Sequence, residues 1–476
     1  MRKFLLLSLG MMMVLPGCTL TPDVQPPGDT MPGQYPEGPG YDTALTASDE
    51  QAETLNAVSW PNYYQDETLQ QLITTGLENN KDLKTAALRI SGARALYGIE
   101  KSGLVPDLSV DGGFRRQKTD ASGAVEGAGG SSFIFQDYEV SLGFTAYEID
   151  FFGRVRSLKD AALNDYLATK AAHRTVRTTL IADIAAAYVS LRANQSLLAL
   201  AQETVQTRQE SYDIIKRRAE EGVSTDLELA QAETLLLQAR VDLYEFINSI
   251  EQDKNALRAL LGTPDAMPVL DPEDKKYDIG PIMTDVPVGL PSTLLTSRPD
   301  IMEAEFRLYS ANADIGAARA AFFPRISLTT AGGYSSGEFD NLFDTSSQIW
   351  TFAPQISLPV FTGGRLKNNL DLAEVRKDIA VVAYEKAIET AFREVADALS
   401  AASTFDDRLE AQENLVESAA RRAELSERRY DAGVENYLAV LDAKRGLYTA
   451  QQNAILIRAG KLANLINLYK ALGGGA

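Results

Sequence analysis

Residues 154–221 and residues 365–432 each run for 68 residues without one Gly or Pro. A Gly-Val pair follows each stretch, Gly222-Val223 and Gly433-Val434. Residue n of the first matches residue n+211 of the second without a gap, so that Arg217-Arg218 become Arg428-Arg429, Leu227 becomes Leu438 and Ala232 becomes Ala443. Gly and Pro are the strongest local breakers of helices. A helix that long reaches roughly 100 Å at its 1.5 Å rise per residue. Globular domains rarely contain such rods. The duplication predicts two halves of one body whose task is to cover distance.

The first rod carries a seven-residue repeat. Ile184, Leu191, Leu198, Val205 and Tyr212 form one line, and Leu180, Ala187, Asn194, Ala201, Arg208 and Ile215 form its partner. The second rod keeps the seam with smaller residues, Val395, Ala402, Leu409, Val416 and Ala423. This is coiled-coil spacing, and small seam residues let helices approach closely. The other faces are mixed, with Asp183, Arg192 and Gln195 among them. Both the wall of a hollow tube and an antiparallel coiled coil exposed to water fit that pattern. Further helices are expected over 67–103, from the Ser297-Arg298-Pro299-Asp300 capping-box sequence to about 322, and over the returns 224–261 and 435–472.

Period-two segments lie between the helices. Tyr138, Val140, Leu142, Phe144 and Ala146 alternate with polar or small residues. So do Ile326, Leu328, Thr330, Gly332 and Tyr334, then Trp350, Phe352, Pro354, Ile356 and Leu358, while Leu108, Val110, Gly112 and Phe114 begin a fourth strand. Gly/Ser-rich loops at 118–132 and 335–347 read as hairpin tips. Strands of this length with aromatics near their ends suit a transmembrane barrel, although a soluble sheet with one wet face shows the same alternation. Counting separates the two. Single-chain barrels begin at about 8 strands, and an open sheet edge is not viable in lipid. If these strands span a membrane, several copies share one barrel.

At the N-terminus, Arg2-Lys3 precedes the apolar run from Phe4 to Leu15, which ends at Leu15-Pro16-Gly17-Cys18. That is a signal-peptide pattern, too short to span as a helix. It is similar to a bacterial lipobox, which implies diacylglycerol and an N-acyl chain on Cys18. By the same resemblance, Thr19 fits sorting to the outer membrane. The expected organisation is a signal peptide (1–17), a Pro/Gly-rich lipid-anchored tether (18–60), a first repeat (61–261), a connector (262–297), a second repeat (298–472) and a short tail (473–476).

Charge and composition exclude several functions. With 46 Lys+Arg against 65 Asp+Glu the net charge is −19, and no basic stripe stands against it, so nucleic acid is not an expected partner. Cys18 and His173 are the only residues of their kinds. Internal disulfides, Cys/His zinc sites and Cys-His catalysis are thereby excluded, and no nucleophile–base pair marks an enzyme. No catalytic residue, metal site or cofactor is expected beyond the lipid. His173 reads as a partly exposed helix residue. Met31, Met267, Met283 and Met302 do not cluster as soft copper ligands would.

Leu290-Pro291-Ser292, Arg298-Pro299-Asp300-Ile301, Ala304-Glu305, Ile315-Gly316-Ala317-Ala318 and Phe322-Phe323-Pro324-Arg325-Ile326-Ser327-Leu328 resemble the signature of the TolC-like outer membrane factors. Leu358-Pro359-Val360-Phe361-Thr362-Gly363-Gly364-Arg365 is similar to a second motif of their NodT/OprM-like lipoprotein branch, which serves resistance-nodulation-division efflux pumps. Trp60, Asp66, Leu69, Leu72, Asn80, Asp82-Leu83 and Arg89 match more weakly. The resemblance implies a mainly α fold with a transmembrane β part. In a homotrimer, duplicated antiparallel helical hairpins form an α-barrel, and four strands per chain form a twelve-stranded β-barrel in outer-membrane lipid. It further implies an exit duct that passively conducts small molecules from a periplasmic adaptor and an inner-membrane pump.

In that reading the hairpin tips are Arg217, Arg218 and Gly222 in the first half and Arg428, Arg429 and Gly433 in the second. The arginines suit either adaptor contact or plain solvated charge. Tyr430 and Asp442 match positions of the family's closing network. Glu435 stands where some relatives carry Arg, and Ala439 where some carry Asp. Asp442 with two symmetry copies is expected to form an acidic ring disfavouring anions, or else to be a solvated helix carboxylate. Two other functions fit parts of the sequence: the outer-membrane duct of a type I protein secretion system, and a non-porous periplasmic coiled-coil scaffold.

Overall fold

The computed structural model describes residues 19–25, 27, 59–120, 132–263 and 298–474. Cys18, the leader, most of the tether, nearly all of the 262–297 connector with Ser297, and the first hairpin tip at 121–131 lie outside the described residues. In chain order the elements are α1 (Trp60–Tyr63), α2 (Glu67–Asn79), α3 (Lys81–Ser102), β1 (Ser109–Asp120), β2 (Ser132–Ile149), α4 (Arg154–Glu220), α5 (Asp226–Leu261), α6 (Pro299–Ala320), β3 (Arg325–Ser336), β4 (Gln348–Ser357), α7 (Arg365–Asp431) and α8 (Tyr437–Ala471). Single 3-10 turns at Phe339–Asn341 and Thr345–Ser347 fill the loop between β3 and β4. Both rods are continuous, at 67 residues each.

The single helix expected over 67–103 is two. Asn80 has ψ 134° and leaves the helical region. Its side-chain oxygen accepts from the Leu83 N–H, capping α3, and its amide donates to the Leu260 carbonyl on α5. Local capping chemistry and a tertiary bond together outweigh one lost turn. Ser297, the expected cap of α6, lies outside the described residues, and Asp300 has a further role. Its carboxylate grips the guanidinium of Arg298 at 2.7 and 3.0 Å. Arg298 is 6% exposed and also bonds Glu394 and the Ala471 carbonyl, so it ties together three helices. A buried guanidinium needs this many acceptors to offset desolvation.

Contacts divide the described chain into two units, each drawing on both halves of the sequence. The helical unit includes residues 59–89, 170–263, 298–303 and 384–474. Its largest core packs Leu180, Ile181, Ile184, Tyr188 and Leu191 of α4 against Leu69, Leu72 and Ile73 of α2, Leu257 and Leu261 of α5, and Ile455 and Ile466 of α8. Each such side chain contributes about 1.5–3 kcal/mol by leaving water. Tyr63 stacks on Tyr469 at 4.5 Å and donates its hydroxyl to the Leu465 carbonyl. A second core is built from the smaller seam of α7: Ile388, Ala391, Val395, Ala398 and Leu399 meet Leu468 and Ala471. Arg208, a cation inside an apolar seam line, donates to the Leu235 carbonyl at 2.7 Å and lies over the Tyr448 ring at 4.9 Å. His173 is half-buried on α4, and burial and Arg177 push its pKa down.

The other unit holds the sheet, with strand order β1-β2-β3-β4 and every pair antiparallel. Register is regular except between Phe144 and Tyr147, where two residues of β2 oppose Thr329 alone. Ala146 takes φ 53° there and donates its N–H to the Thr329 hydroxyl. The bulge shifts the phase of β2. The apolar face therefore continues through Tyr147 and Ile149, not through Ala146 as strict alternation predicts.

Candidate functional site

Two features are candidates for function: the faces of the sheet and the hairpin tips.

The sheet has one apolar face. Pairing places Val110 and Phe114 of β1 in register with Leu142 and Tyr138 of β2. Ile149, Tyr147 and Phe144 face Ile326, Leu328 and Thr330 of β3, which face Ile356, Pro354 and Phe352 of β4. This face is uncovered: Val110, Phe114, Leu142, Phe352 and Ile356 are exposed, and Trp350 is 80% exposed. The opposite face carries Ser109, Asp111, Glu139, Ser141, Ser327, Thr329, Thr351 and Gln355. It is closely packed where strands meet. A Cβ at Gly143 would lie 2.2 Å from the Thr330 carbonyl oxygen, and one at Gly333 would lie 2.1 Å from that of Val140. At its helix-proximal end Glu148 bridges Arg154 at 2.7 Å and Arg325 at 2.6 Å. Among the described residues, β1 and β4 each leave one backbone edge unpaired. Four strands with two open edges and a bare apolar face are stable neither in water nor in lipid by themselves. Among the described residues no helix is long and apolar enough to cross a membrane.

Both tips use one backbone device. Gly222 (φ 74°) and Gly433 (φ 72°) are left-handed. The Val223 N–H bonds the Arg218 carbonyl and the Gly222 N–H bonds that of Ala219; Val434 to Arg429 and Gly433 to Tyr430 repeat the pattern. These are Schellman closures, which need a residue without Cβ strain at φ > 0. The next helix is then capped, by a Thr225–Glu228 capping box in the first tip and by Asn436 in the second.

The candidate side chains at the tips find different partners. Arg218 lies over the Tyr430 ring at 5.2 Å, which joins the two tips. Tyr430 meets Tyr437 at 5.2 Å, beside a small core of Ile215, Leu235, Val440 and Leu441. Asp442 pairs with Arg422 at 2.5 Å, and Glu435 with Arg429 at 2.7 Å. Arg428 pairs with Glu424 one turn away, while Arg217 donates to the Asp213 carbonyl. Sequence reasoning missed Arg422, Tyr437 and the Lys444–Glu427 pair at 2.5 Å. Tyr437 had a signal, an aromatic seven residues from Tyr430 across a turn. The ion pairs join different helices and have none.

The comparisons match this architecture along the chain. The family described as outer membrane efflux protein matches residues 72–263 and 290–474. The antibiotic efflux pump outer membrane protein ArpC of Pseudomonas putida is 43% identical over 475 residues, covering 100% of this chain and 96% of that protein. The toluene efflux pump outer membrane protein TtgC of Pseudomonas putida is equally 43% identical with the same coverage. The crystal structure of the open state of the Neisseria gonorrhoeae MtrE outer membrane channel superposes with TM-score 0.81 at 36% identity, over 96% of this chain and 98% of that one. With the four-stranded sheet, the duplicated rods and this full-length likeness in hand, the chain belongs to the outer membrane efflux protein family.

Proposed function

We propose that this protein is the outer-membrane exit duct of a tripartite efflux pump, conducting small molecules passively to the cell exterior. The observation that carries it is the bare apolar face on a four-stranded sheet with two open edges. Three copies joined edge to edge give a closed barrel with the apolar face in lipid and the Gly/Ser/Thr face toward the lumen, and closure removes every edge. The α4–α5 and α7–α8 hairpins then line a periplasmic tunnel. Cys18 carries diacylglycerol and an N-acyl chain, a second membrane hold besides the barrel.

Function at the tips follows from their chemistry. Arg217, Arg218, Arg428 and Arg429 offer donors to a periplasmic adaptor, with Gly222 and Gly433 shaping the turns that present them. Tyr430, Glu435 and Asp442 form the closed end. In this reading the closure is held by ion pairs as much as by an acidic ring: Arg422 neutralises Asp442 within one chain, and Arg429 neutralises Glu435. The inner-membrane pump supplies the energy. Relatives named for antibiotics and for toluene are equally similar to this chain, so cargo choice rests with the pump, and the duct sets limits of size and charge.

Planar-bilayer recording of the purified protein tests the proposal. Discrete conductance steps that grow when Asp442 or Arg422 is replaced by Ala are expected. A protein that never enters the bilayer would refute the duct.

A further inference from the structure

The apolar face of the sheet does not end in the same way at its two ends. Take the helix-proximal end as Ile149 and the upper aromatic level as Tyr138. About ten strand steps, at roughly 2.5 Å of height each for a strand tilted about 40°, span about 25 Å, the height of an outer-membrane apolar band. The helix-proximal end of this face finishes in Ile149, Ile326 and Ile356, in register with one another. On β1 the hairpin end of this face finishes in charge. Register is unbroken along β1, so Arg116 and Lys118 stand on the same face as Val110 and Phe114, opposite Gln136 and Ile134. Both are exposed. Phe114 packs on Tyr138 at 4.6 Å, and Tyr138 meets Phe339 at 5.5 Å, so an aromatic group sits directly beneath the basic pair. Among the described residues no salt bridge engages Arg116 or Lys118. Arg115, the neighbour on the lumen side, stands opposite Asp137 instead.

Two cations held outward at this height, roughly 5 and 10 Å past the aromatic level by the same strand geometry, reach the head-group layer and not the acyl chains. Solvation alone does not call for them on the outward face, since the polar face was available one residue away in the register. Their side chains are spaced about 7 Å apart along the strand, and phosphate oxygens are their best-matched acceptors.

We propose that Arg116 and Lys118 form a binding site for the phosphate groups of an anionic lipid in the leaflet on the hairpin side of the membrane. The inference rests on the barrel reading above. Acyl chains lie along Phe114, Val110 and Leu142, the rings of Phe114 and Tyr138 mark the head-group boundary, and the two cations hold the phosphates. The site fixes the barrel's height in the membrane and favours anionic lipid around β1.

The test uses the full chain in phosphatidylcholine nanodiscs containing diphosphoryl lipid A, with the lipid retained after mild detergent extraction measured by mass spectrometry. Conductance of each protein is recorded in parallel. The double variant Arg116→Ser/Lys118→Ser is expected to retain about tenfold less lipid A than the unaltered chain, taking roughly one charge-surface increment per basic residue and allowing for partial screening. Arg115→Ser, on the other face of the same strand, is expected to retain the full amount. Conductance is expected to be the same for all three proteins. Equal retention by the double variant overturns the site, as does an equal loss in Arg115→Ser. Displacement of the lipid by inorganic phosphate alone would show a free-anion site and overturns the lipid assignment. Absence of conductance from the unaltered chain would overturn the barrel reading, and this site with it.

Discussion

The two hairpin tips share a backbone turn and an arginine pair, Arg217-Arg218 and Arg428-Arg429, and differ in the side chains that fasten their helices together. Gly222 and Gly433 close the same Schellman turn 211 positions apart. Around that turn the second tip is fastened by ion pairs between its helices, whereas the first uses hydrogen bonds, Arg208 to the Leu235 carbonyl and Arg240 to Gln209. Tyr430 and Tyr437 correspond to Ala219 and Asp226. The Arg422–Asp442 pair corresponds to Ser211 and Gln231. Glu427 and Lys444, an ion pair in the second tip, correspond to Lys216 and Glu233, with the charges exchanged. The duplication thus kept the turn and diverged the fastenings. A turn made by backbone chemistry stays shut. Fastenings made by exposed ion pairs cost little to undo, because such pairs contribute only about 0–1 kcal/mol each. In the proposed duct the second tip is the one suited to open and close.

The largest expected asymmetry comes from Tyr437, which is 6% exposed. Tyr437→Ala removes a buried ring from the tip core and should cost about 3 kcal/mol locally. Hydrogen exchange of the amides in residues 431–441 should then accelerate by about two orders of magnitude. Asp226→Ala at the matching position should leave exchange in the first tip nearly unchanged. Comparable acceleration at both tips would erase the distinction drawn here.

A smaller effect should be equal at the two tips. Gly222→Ala and Gly433→Ala each force a Cβ into left-handed backbone, at about 1–2 kcal/mol. Local exchange should rise similarly in both, and a large difference between them would mean that the turns are not equivalent.

Alkali should separate the tips again. Burial first, and then the neighbouring Tyr430, pushes the Tyr437 pKa up to about 12. An unfolded tyrosine ionises at about pH 10. The raised value means the neutral phenol is favoured in the fold. Its contribution is complete below about pH 10 and is lost as the pH rises towards about 12. Exchange around residues 431–441 should loosen over that window beyond the ordinary rise with hydroxide, and Tyr437→Phe should abolish the excess.

The smallest structural effect, and the most informative for gating, belongs to Asp442→Ala. An exposed pair is worth under about 1 kcal/mol, so stability should hold while closed-state conductance rises several-fold in planar bilayers. If Arg422→Ala gives the same rise and the double variant adds nothing, the two act as one fastening.

Much of this was legible in the sequence. Rods free of Gly and Pro, a 211-residue repeat and period-two strands announce themselves because each is a local pattern repeated many times. The rods ended within one residue of their expected ends, where Gly222 and Gly433 stand. The failures came where one residue serves a distant partner. Asn80 splits a helix because it bonds α5 as well as capping α3. The bulge at Ala146 moves the apolar face of β2 by one residue, and no local composition marks it. At the tips, the glycines and arginines were visible as turn and charge signals, whereas Arg422 and Lys444 acquire meaning only when α7 and α8 lie side by side.

Native mass spectrometry of the full chain extracted from membranes tests the central claim most directly. One chain supplies four strands and cannot close a barrel, so a single species of three copies is predicted. A stable, water-soluble species of one copy, with the apolar sheet face uncovered, would contradict it.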